Sequence, residues 1–311
     1  MTRITAISRL LLALISASGG RCLSLDSQTS GPSQSHLASP GSRRDVLTSS
    51  VANAAALLGD SMASPTEAVA AGGGLAAKLS QRDPSALKNS VFNIPPAAQV
   101  CPAFMRGEWE VQEKFSGYIF PSTTIPKSKI IADVQVPGFQ KCSIAAISDI
   151  GKELATYWMR IDDKGLEDRQ HNLASTIDAH LGYKAVDAID YDPSSNPNRL
   201  SITFVPNRTR NAERIELFFN ARESELVPNP KDETSKLKIF VCSEYMRQVT
   251  FSLSQEFGVA RQVVGNYAHF WTWREQPDGN TLTGNVLTAV YLDPQDALFF
   301  QEPSKPVVVY R

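Results

Sequence analysis

Glu167-Asp168-Arg169-Gln170-His171-Asn172 places carboxylates, a guanidinium, an imidazole and amides within six positions. Such a run can serve three ends. Arg169, oriented by Asp168 and Asn172, can receive the carboxylate or phosphate head of a ligand, because a guanidinium presents a planar fork of donors. Asp168 and His171 can form an acid–base pair. Or the run is structural, an Asp–Arg pair with Asn172 as the N-cap of a helix. A second candidate set is Tyr267, His269, Trp271 and Trp273. In an extended strand these alternate residues share one face, with Phe270 on the other. They fill a core, or they line a pocket for a pigment, quinone or lipid.

Other chemistries lack their residues. His171 and His180 are nine apart and His269 is remote, so no metal-binding spacing is present and no metal is expected. No G-x-S-x-G, P-loop or dinucleotide fingerprint occurs, and no cofactor is expected. Beyond the leader the cysteines are Cys101, Cys142 and Cys242, with no C-x-x-C pair. Cys242 lies in a strand-like run and reads as a buried free thiol. Cys101 with Cys142 is the first pair to test for a disulfide. Asn207-Arg208-Thr209 is a single glycosylation sequon.

The first seventy residues read as targeting. MTRITAISRLLLALISASGG has a basic start, a short apolar run and small residues, the layout of a secretory signal. Up to Arg44 the chain carries five arginines against one acid, Asp26, in a Ser-rich background, as in a plastid transit region. Arg43-Arg44 then precedes a mildly apolar Ala-rich stretch ending in Ala68-Val69-Ala70. Twin arginines, a weak apolar core and A-x-A make a twin-arginine export signal. The two signals together predict an algal plastid protein, of a complex plastid or a simple one, delivered to the thylakoid lumen and starting near Ala71. Residues 71–311 keep 26 basic and 28 acidic residues, a net charge of about −2 that argues against nucleic acid. No stretch of them reads as a membrane span.

Residues 71–90 are rich in Gly, Ala and Ser and read as a loose tail, leaving 91–311 as one domain. Strand-like segments then recur: 108–115, 129–136, 142–150, 153–162, 186–192, 200–206, 214–222, 237–253, 266–275, 281–292 and 306–311. Period-2 alternation with turn signals between predicts a mainly β, antiparallel barrel or sandwich, and a single helix among the strands suits a closed barrel. One helix is expected over about 172–182, where Leu173, Ile177 and Leu181 recur every four residues before Gly182. Asn196-Pro197-Asn198-Arg199 reads as a hairpin loop, with Asn198 able to take positive φ.

Gly107-Glu108-Trp109 resembles the G-x-W that opens the first strand of lipocalins and their calycin relatives. The resemblance implies that Trp109 plugs one end of a barrel under an arginine near the C-terminus, Arg311 or Arg274. The wider set is similar to an uncharacterised cyanobacterial and plastid family, domain of unknown function 6816. It comprises Asp168-Arg169 with Asn172, Ala179-His180-Leu181-Gly182, Asn196-Pro197-Asn198-Arg199, and Trp273-Arg274-Glu275 before Pro277-Asp278-Gly279. The family's Y-R-R is Trp273-Arg274-Glu275 here, which leaves its second arginine without a counterpart. The resemblance implies location and architecture and carries no chemistry. The expected function is a non-catalytic lumenal accessory protein. It binds a small apolar ligand, or a photosystem or assembly-factor subunit. The alternative is a lipocalin-like enzyme acting on a carotenoid or lipid through Asp168 and His171.

Overall fold

The computed structural model describes residues 2–5, 74–89, 96–133, 153–209, 212–228, 237–253 and 260–311, all within one unit. The leader positions Arg43, Arg44, Ala68 and Ala70, the segment 142–150 and Cys142 lie outside the described residues. The strands are β1 (Thr2–Thr5), β2 (Gly107–Lys114), β3 (Tyr118–Ile119), β4 (Leu154–Ile161), β5 (Val186–Asp190) and β6 (Arg199–Phe204). They continue with β7 (Arg214–Pro228), β8 (Lys238–Leu253), β9 (Ala260–Glu275), β10 (Thr281–Tyr291) and β11 (Val308–Tyr310). The helices are α1 (Leu75–Ser80), α2 (Lys127–Asp133) and α3 (Arg169–Leu181).

One sheet runs β4-β2-β1-β10-β9-β8-β7-β6-β5, with β11 on β10 and β3 on β11. Pairing is antiparallel except for β1, which is parallel to both β2 and β10. The run 237–253 is one long strand. It pairs along its length with β7, across a bulge between Phe219 and Ala221, and with β9.

Among the described residues the sheet does not close into the expected barrel: its outermost strands there, β4 and β5, do not pair with each other. Helix α3 packs against both. Its side chains supply the hydrogen bonds that a further strand would supply. Asn172 Oδ1 accepts from Arg160 N (2.7 Å) and Nδ2 donates to Arg160 O (3.1 Å), while Ser175 Oγ accepts from Trp158 N (3.0 Å). On the other edge Asp178 Oδ1 accepts from Ala185 N and Val186 N (2.7 and 3.0 Å). Nine flat strands about 4.8 Å apart would span roughly 38 Å. A single helix touching both edges therefore requires the sheet to bend round.

Helix α3 starts earlier than its apolar spacing suggested. Asp168 is the N-cap, its carboxylate accepting from His171 N, and Gly182 closes the helix at φ 81°. Asn172 is inside the helix, its amide spent on β4. The expected strand over 129–136 is instead helical over Lys127–Asp133. Pro126 O accepts from Lys129 N and Ile130 N, so the first turn forms behind a proline. Ile130, fully buried, packs with Ile125, Val307 and Val308. The β-branched pair Ile130-Ile131 looked like a strand, and this packing outweighs its propensity. Positive φ falls on Asn207 rather than Asn198.

Residues 74–89, read from composition as a loose tail, lie on the outer face of the sheet. Leu75 and Leu87 are buried there with Val241, Tyr245, Phe270 and Tyr291. Tyr245 and Tyr291 donate to the carbonyls of Lys88 and Leu87 (3.0 and 3.2 Å), and Glu225 accepts from Ala76 N (3.0 Å). This covering explains why β8 and β9 are apolar on both faces.

Candidate functional site

The other face of the sheet holds a cavity of about 220 Å³. Strand phase decides what lines it. From β8 the inward residues are Phe240, Cys242, Glu244, Met246 and Gln248; from β9 they are Tyr267, His269, Trp271 and Trp273. The register sets Glu244 beside His269, Cys242 beside Trp271 and Phe240 beside Trp273. The aromatic stripe thus lines the cavity as one row. Tyr267 is buried and donates to Gln248 Oε1 (3.3 Å), whereas His269, Trp271 and Trp273 are only half-buried. Opposite Trp273 on β10 stands Gly284; a Cβ there would come within 2.6 Å of the indole. The missing side chain makes room for the ring.

The polar run at the head of α3 divides by helix geometry. Asp168 is exposed and does not line the cavity; its contact with His171 is to the backbone N–H, which caps the helix. Arg169 and Asn172 are buried on the inward side and do line it. Arg169 donates through Nη2 to Glu244 and lies 3.6 Å from Glu167. Arg222, the cross-strand partner of Glu244, donates to the same carboxylate oxygen. The two guanidiniums stand 4.5 and 4.7 Å from the centre of the Phe219 ring. Arg222 also donates to Pro197 O (2.9 Å) and Ala97 O (2.8 Å). The motifs at 168–172 and 196–199 therefore meet through Glu244. Burial pushes the Glu244 carboxyl up. The charges and hydrogen bonds of Arg169 and Arg222 outweigh that and hold it below its ordinary value. For Arg169 burial acts against the charged form, and the carboxylates of Glu244 and Glu167 more than restore it.

The sequence reading passed over Glu244, Arg222 and Phe219. A signal for Glu244 was present: a carboxylate in phase with Phe240, Cys242 and Met246 inside an apolar strand must find a buried partner. Which cation answers it depends on strand pairing. A second missed group is on the far wall. Glu113 of β2 accepts from Tyr157 OH (2.9 Å), with His180 Nε2 3.6 Å from the same oxygen.

Trp109 is buried with Cys101, Met105, Phe240 and Leu282, and its Nε1 donates to Met105 O (2.8 Å). Among the described residues no guanidinium stands over its ring; Arg311 is exposed at the chain end. The Met105 carbonyl satisfies the indole N–H, and the ring faces are packed by apolar side chains.

Cys101 and Cys242 are buried free thiols on the cavity wall. Burial pushes Cys101 up to about 12 and Cys242 well above its usual value. Both are expected to resist iodoacetamide at pH 8 in the native protein and to label fully in denaturant, read by mass spectrometry. Native labelling on the unfolded timescale would contradict this.

A mainly β, antiparallel sheet bent round one helix, with a cavity on its inner face, defines the class of protein. The chain belongs to the family described as domain of unknown function (DUF6816), whose match spans residues 94–311. No curated protein and no solved structure matches it significantly. Among the described residues no helix is long and apolar enough to cross a membrane.

Proposed function

We propose that this protein binds one small apolar molecule in the cavity and does no chemistry on it. The observation that carries the reading is the cavity itself. About 220 Å³ remains unfilled against Trp271, Trp273, Met246 and Ile215. Protein interiors are otherwise close-packed. Sites for drug-sized ligands run roughly 300–1,000 Å³. The ligand is therefore a quinone in its quinol form, a pigment fragment or a single short chain, or it leaves its tail outside. The bent sheet with α3 across its gap is read as a calycin-like calyx in which a helix stands where strands would pair. The leader supports a place of work in the thylakoid lumen. Attachment to a photosynthetic complex subunit is the second form of the same accessory role.

The enzyme reading has less behind it. Asp168 is exposed and committed to the helix cap, and a whole carotenoid exceeds the cavity. Equilibrium dialysis against 2,3-dimethylhydroquinone is expected to reveal one saturable site. Gly284→Leu, which would drive Trp273 into the cavity, is expected to weaken it about tenfold, about 1.4 kcal/mol. Uptake that never saturates, or that Gly284→Leu leaves unchanged, overturns the reading.

A further inference from the structure

The cavity's charges are unevenly matched, and this bears on which polar group a ligand can bring. Arg169 is the cation expected to greet an anionic head. It already faces Glu244 and Glu167, and Glu244 is shared with Arg222. The two guanidiniums and these two carboxylates balance. An anion approaching Arg169 would lie against two carboxylates in a region of low dielectric, where like charges repel strongly. Glu113 then adds a third carboxylate, with no guanidinium paired to it among the described residues. Its side chain is 17% exposed and lines the cavity. Tyr157 OH and His180 Nε2 both address Oε2. Oε1 has no hydrogen-bond partner among the described residues. A carboxylate oxygen on an apolar wall is an acceptor awaiting a donor.

We infer that the ligand carries a hydrogen-bond donor, a hydroxyl or an ammonium, which Glu113 receives, and that anionic heads are excluded. This rests on the cavity being a binding site. It assigns Glu113 as the residue that selects the polar group, while Arg169 holds the wall together. A hydroxyl donates one charge-assisted bond to Oε1. An ammonium adds charge neutralisation, since carboxylates exceed guanidiniums around the cavity by one when the histidines are set aside.

The test uses three C8 probes that differ only at the head: octan-1-ol, octylamine and octanoate, titrated into the full chain at pH 7 by calorimetry. The alcohol and the amine are expected to bind at least about tenfold more tightly than octanoate. Glu113→Gln keeps an acceptor but removes the charge, so the amine is expected to lose about tenfold and the alcohol little. Glu113→Leu is expected to abolish the preference for octanol over octanoate; a thermal melt of each variant verifies folding. Octanoate binding as tightly as octanol, or an unchanged preference in Glu113→Leu, overturns the inference while leaving ligand binding intact. Failure of all three probes to bind removes both.

Discussion

Replacing Glu244 by Gln is expected to lower the free energy of unfolding by about 3–5 kcal/mol, the cost of stranding buried charge. The carboxylate is the common partner of Arg169 and Arg222, and all three side chains are almost fully buried. An amide cannot neutralise either guanidinium. The loss is read as a lower midpoint in urea at unchanged slope. Replacing the trio together, Arg169→Met with Arg222→Met and Glu244→Leu, is expected to recover most of it, because no charge is then left alone. A Glu244→Gln protein as stable as wild type would mean that the cluster is hydrated and the fold differently packed.

The same pair of proteins fixes a pH dependence. The folded Glu244 carboxyl lies below its unfolded value, which is about 4.3. A depressed carboxyl contributes stability above the unfolded value and loses it as pH falls through the folded one. The gap between wild type and Glu244→Gln is therefore expected to be complete at pH 5 and above, and to narrow below about pH 4. A gap that closes already near pH 6 would point to another group.

Trp109→Ala is expected to cost about 3–5 kcal/mol. The ring is 4% exposed and wedged between the 101–105 segment and the inner faces of β8 and β10. Its removal also leaves Met105 O without its buried donor. Trp109→Phe is expected to retain part of the packing and so to cost less. Arg311→Ala, at an exposed position, is expected to fall within about 0.5 kcal/mol of wild type, and Arg274→Ala, which is half-buried but not over the ring, to cost less than Trp109→Ala. A loss in either arginine variant as large as that in Trp109→Ala would restore a guanidinium cover over the ring.

Period-2 patterning was enough to place most strands, because a half-buried strand must alternate whatever its neighbours are. Segments 153–162, 186–192 and 200–206 fall on β4, β5 and β6. It was not enough where both faces are apolar. Lys127–Asp133 reads as a strand by its isoleucines, yet Pro126 and the packing of Ile130 make it a helix. Residues 74–89 look featureless in composition. Their leucines acquire meaning only from the outer face of β8 to β10.

The aromatic row Tyr267, His269, Trp271 and Trp273 was legible as one face of a strand, since alternation alone dictates it. That this face borders open space, and Phe270 a packed layer, depended on what lies across from each. Asp168, Arg169 and Asn172 were legible as a polar set beside a helix, but the cap is Asp168 and not Asn172, which lies inside the helix. Their separate fates were not legible. Helix phase turns Asp168 to solvent and Arg169 and Asn172 inward, and only strand register brings Glu244 and Arg222 to meet Arg169. By itself the sequence determined what is local: strand phase and turn positions, set by neighbours a few residues apart. The tertiary structure alone decided the helix across the open sheet, the paired charges and the unfilled cavity. Each of these joins residues dozens of positions apart, and a one-dimensional pattern contains no distance between them.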